Sequence, residues 1–137
     1  MKAQSAIEYF VIAAMVMMFM IPIWVYIVTT QQQTSDELAL SYARNAAKQI
    51  ADAASLVHSQ GYPAKINIKV YIPDGVSNVS IDDRNIKFIL NTGGKETEVW
   101  YTSSATMQGE DQIPVRSGYY YLDIVSQDSY VEISRTV

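Results

Sequence analysis

Residues able to do chemistry are few in this chain, and they stand apart from one another. Glu8 is a carboxylate at the foot of a long apolar run, with Gln4 four residues before it. A charge at mid-bilayer costs about 2.5–3.5 kcal/mol on insertion scales, and less near an interface. Glu8 therefore either lies level with lipid head groups or is matched by a positive group. In low dielectric such a pair attracts strongly, and each charge relieves the other's desolvation. His58 is the only histidine and cysteine is absent, so a polar residue near a helix end is a better reading than a metal ligand. Asp82-Asp83 lacks the spacing of an EF-hand loop and reads as a solvated turn. Gly93-Gly94 lies between strand patterns, without the helix whose N-terminus would hold a phosphate. With its one histidine on a helix, the chain offers no Ser-His-Asp set. It is not expected to be an enzyme, or to need a cofactor or a metal. Two surface features remain. Asn78-Val79-Ser80 is an Asn-x-Ser sequon, a candidate glycan acceptor in an exported chain. Tyr119-Tyr120-Tyr121 alternates on a strand, so Tyr120 faces away from its neighbours, one face packing the core and the other open to a subunit or ligand.

The elements that position these residues begin with the apolar run itself. From Tyr9 to Val28 there is no charge, and Val, Ile, Met and Phe dominate. At helical rise the run is about 30 Å long, enough to cross a bilayer core. The polar flank Thr29, Thr30, Gln31, Gln32, Gln33 follows it, with no Ala-x-Ala-like site, so the helix is expected to be retained. Lys2 precedes the run, and the first basic residue beyond it is Arg44. The positive-inside rule puts the N-terminus in the cytoplasm and everything after Gln31 outside. Trp24 and Tyr26 suit interfacial anchors or plain apolar filling. Pro22 removes one amide donor, producing a kink or a flexible point.

With 137 residues there is room for one membrane helix and one small domain. The balance is mildly acidic, and the basic residues beyond Gly61 (Lys65, Lys69, Arg84, Lys87, Lys95, Arg116, Arg135) are scattered singly. No stripe follows a phosphate backbone, so nucleic acid is not an expected partner. Ten tyrosines suit an extracellular β domain or an interface.

Ser35 with Asp36 and Glu37 resembles a helix start. Leu38, Tyr42, Ala46, Ile50, Ala53 and Val57 recur at three- and four-residue steps, predicting one apolar stripe. Ala39, Ala43, Ala47, Ala51 and Ala54 allow close approach of a second element. Gly61 and Pro63 stop the helix. Nothing between Thr29 and Ser35 breaks it from the apolar run, so one long helix is expected. Beyond Pro63 the period becomes two: Ile66, Ile68, Val70 and Ile72 on one face, later Ile86, Phe88 and Leu90. Turn residues separate five or six antiparallel strands, with Ser103–Ser117 irregular apart from Ile113-Pro114-Val115. The expected class is α+β: a long N-terminal hydrophobic helix continuing into an amphipathic helix, packed by a small antiparallel β-sheet domain. The divisions are 4–30 for the transmembrane helix, 31–62 for its amphipathic extension and 63–137 for the β domain, after a short start at 1–3.

That start resembles the type IV prepilin signal, and more closely its archaeal form, the class III signal peptide. Lys2-Ala3, then Gln4, then Glu8 four residues later, then Tyr9-Phe10-Val11-Ile12 match the pattern. The pattern's Ser two residues after the Gln is displaced: Ser5 comes one early and Ala6 takes its place. The helix and β-rich remainder match the family's layout over the whole chain. The resemblance implies that 1–3 is a leader and that a membrane prepilin peptidase cuts between Ala3 and Gln4. The new amine on Gln4 would then pair with Glu8 and set subunit register. It implies partners in other copies or other pilin subunits, membrane lipid before assembly, and an extracellular filament used in adhesion or as a surface appendage. The alternative is a single-pass anchor carrying an extracellular β-rich binding domain.

Overall fold

The computed structural model describes residues 2–136, except the side chains of Lys2, Ala3 and Ser5. One helix, α1, runs from Lys2 to Gln60 without interruption at Pro22. It ends as the stop residues require. Gly61 takes φ 75° and its amide donates to the carbonyls of Val57 (3.1 Å) and His58 (3.2 Å), closing the last turn. By contacts the chain forms two compact units, 1–35 and 36–137.

In the second unit, α1 buries Ala43, Ala46, Ala47, Ile50, Ala51, Ala53, Ala54 and Val57. The three- and four-residue spacing is as expected, but the stripe is narrower and begins later. Leu38 and Tyr42 are exposed, and Ala39 and Leu40 only flank the core. Alanines supply more than half of the buried face because small side chains let strands approach the helix backbone closely.

Seven strands follow: β1 (Lys65–Ile72), β2 (Val76–Asp82), β3 (Asn85–Thr92), β4 (Lys95–Thr102), β5 (Met107–Gln108), β6 (Gly118–Ser126) and β7 (Val131–Arg135). They make two sheets, ordered β1-β6-β7-β5 and β2-β3-β4, rather than one. All pairs are antiparallel except β5–β7. The expectation of five or six strands missed β5, whose two residues are too short to show a period. Inward faces alternate as the pattern predicts: Val70 and Ile72, Ile86, Phe88 and Leu90, Leu122 and Ile124 are all fully buried. With the helix alanines they form one core.

Side chains fasten the connections. The Ser55 hydroxyl donates to the Ala51 carbonyl (2.9 Å), lies 3.0 Å from the Ser103 hydroxyl and accepts the Ser104 amide (3.0 Å). Asp83, at φ 53°, turns β2 into β3; its carboxylate accepts from Thr106 (2.8 Å) and its carbonyl from the Met107 amide (2.7 Å). Asp tolerates this left-handed conformation better than most residues.

Candidate functional site

In the first unit the candidate feature is an exposed apolar surface. An eighteen-residue window of α1 has mean hydropathy 2.5 and none of it is buried. Phe10, Met18, Phe19, Trp24 and Tyr26 are all more than two-thirds exposed. Burying a side chain of this size is worth about 1.5–3 kcal/mol. A contiguous uncovered surface of this kind marks contact with lipid or protein. The helix is long and apolar enough to cross a membrane.

Gln4 and Glu8 are exposed at one end of this surface; the side chain of Ala3 lies outside the described residues. At the other end the hydroxyls turn inward on their own helix. Thr29 donates to the carbonyls of Val25 and Tyr26 (both 3.0 Å), Thr30 to Tyr26 (2.8 Å), Thr34 to Thr30 (2.9 Å) and Ser35 to Gln31 (3.0 Å). Such back-bonding satisfies the hydroxyl locally and tends to bend a helix slightly.

In the second unit, the residues singled out from the sequence do not converge. His58, Asp82 and Asp83 are exposed and lie on different elements. Asn78 is exposed on edge strand β2, where its side-chain oxygen accepts the Val79 amide (2.9 Å). Gly93 and Gly94 make the β3–β4 turn.

Strand register does bring together residues that the sequence left apart. Lys69 stands opposite Tyr121, and Tyr71 opposite Tyr119, on the outward face of β1 and β6. The Tyr71 ring centre lies 4.9 Å from that of Tyr119 and 5.2 Å from that of Tyr42 on α1, the latter pair T-shaped. The Lys69 ammonium lies over Tyr119 at 4.5 Å and near Tyr121 at 5.8 Å. Tyr120 faces the core instead, as its alternation predicts. Further along the same outward face Asp123 accepts from the Asn67 amide (2.8 Å) and pairs with Lys65 (3.1 Å). The Asn67 hydrogen bond, then Lys65, hold its carboxyl below the usual carboxylate range, against a smaller effect of burial.

On the other sheet, Glu96, Glu98 and Trp100 share the outward face of β4, with the buried Val99 on its inner face. Trp100 is 62% exposed and stands opposite Lys87. The sequence reading passed over Tyr42, Lys69, Tyr71 and Trp100. Only the alternation of polar and aromatic residues in 65–72 and 95–102 hinted at them. No family model, curated protein or solved structure matches this chain.

Proposed function

We propose that this chain is a type IV pilin-like structural subunit. In this reading the leader ends at Ala3 and Gln4 becomes the first residue. The apolar part of α1 then carries the subunit from the membrane into the core of an extracellular filament that serves adhesion or acts as a surface appendage. The supporting observation is the wholly uncovered apolar surface of α1. Such a surface is stable in lipid or against copies of itself, and an assembly outside the membrane must bury it by oligomerising. Exposed Glu8 is then free to meet the Gln4 amine of its own or a neighbouring helix and set the axial stagger.

Two measurements on protein from its native host test this together: the mass of the mature N-terminus and electron microscopy of the surface fraction. Gln4 as first residue, with the subunit in filaments, is expected. A retained Met1 or Lys2 on a membrane-fixed monomer overturns the proposal and favours a permanent anchor with an outward binding domain. Replacing Glu8 by Ala should leave membrane insertion intact and cut filament yield more than about tenfold, because an unmatched amine is left against hydrocarbon. Normal yield from that variant removes the register role.

A further inference from the structure

We propose that the β domains of successive subunits dock head to tail, the Lys69–tyrosine face of one copy against the Glu96–Glu98–Trp100 face of the next. The two faces belong to different sheets and both point away from the shared core. Their key charges are opposite in sign: Lys69, held over the Tyr119 ring, on one face, and Glu96 and Glu98 on the other. Among the described residues the ion pairs are Lys65–Asp123, Arg84–Asp83 and Lys87–Asp82. Lys69, Glu96 and Glu98 take part in none of them. Each face also carries exposed aromatic area, Tyr119 at 67% and Tyr121 at 51% on one, Trp100 at 62% on the other. Tyrosine and tryptophan are the residues that most often anchor protein interfaces.

The same charges decide the symmetry. Bringing Lys69 of one copy to Glu96 or Glu98 of the next requires the two unlike faces to meet. Joining the unlike faces gives a heterologous contact, which propagates along an assembly instead of closing as a dimer. Exposed ion pairs are individually weak. The docking therefore rests on the filament reading, in which clustered apolar helices supply the local concentration.

The chain has no cysteine, so cross-linking sites can be introduced cleanly. Full-length chain carrying both Ser117→Cys, two residues from Tyr119, and Thr102→Cys, two residues from Trp100, both exposed, is expressed in the host, and sheared filaments are mildly oxidised. A ladder of cross-linked multimers is expected from the double variant, and none from either single variant. In parallel, Lys69→Glu and Glu98→Lys should each lower the ladder about two- to fivefold in the double-cysteine background, and restore it when combined. Filaments without the ladder overturn the docking and leave the filament reading standing. Dimers from a single-cysteine variant overturn the head-to-tail arrangement, because like faces would then be in contact. Absence of filaments from the unaltered chain overturns both readings. A ladder that survives each charge reversal overturns the role of charge. Filament yield in the same preparations checks that every variant folds.

Discussion

Gly109 sits at φ 109°, and a β-carbon built there would run into the carbonyl of Ile133. Both the backbone angle and the missing space call for glycine, because β5 lies against β7 at this point. Gly109→Ala should destabilise the fold by more than about 1 kcal/mol, read as a lower midpoint in chemical denaturation. Asp123 makes a different kind of demand. Its carboxylate is held below the ordinary range by Asn67 and Lys65. Its contribution to stability is therefore present above the unfolded carboxylate value of about 4 and is lost as pH falls through the lower folded value. Asp123→Asn should reduce stability at neutral pH and flatten the loss of stability on acidification below about pH 4, followed by thermal melts across a pH series. An unchanged acid limb in the variant would assign that limb to other carboxylates.

Among the elements, the helix shows how far a periodic pattern can be trusted. The spacing of Ala46, Ile50, Ala53 and Val57 set the phase of the buried stripe correctly. It could not say where cover begins, because periodicity is a property of the helix and cover a property of the strands laid on it. Leu38 and Tyr42 thus repeat in phase yet remain exposed, Tyr42 reaching Tyr71 at the rim of the sheet. Close approach depends on the alanines. Ala47→Leu would force extra methyl groups into a fully buried position, and should cost about 1–3 kcal/mol in denaturant titration. The strands were legible wherever alternation ran for a full strand, as in 65–72 and 85–92. The division into two sheets was not, since pairing depends on contacts between residues far apart in the chain. The same limit hid the Lys69, Tyr71, Tyr119 and Tyr121 cluster, which exists only once β1 and β6 are set in register.

For the molecule as a whole, the division of labour falls near Ser35. The core lies within residues 36–137, while none of the described apolar side chains in 1–35 is buried. A chain beginning at Asp36 should therefore fold by itself and remain monomeric at micromolar concentration. Circular dichroism and light scattering would check this, with full-length protein requiring detergent in the same buffer. An unfolded fragment would mean that the first unit contributes to folding. The first unit ends in the stretch from Thr29 to Ser35, with its hydroxyl protons already placed on carbonyls of its own helix. A hydroxyl bonded in this way asks little of either hydrocarbon or water. From Tyr9 to Ser35 there is no ionic group. Were this helix to span a bilayer, it would be able to shift by a turn along its axis without drawing Glu8 or Asp36 into the hydrocarbon.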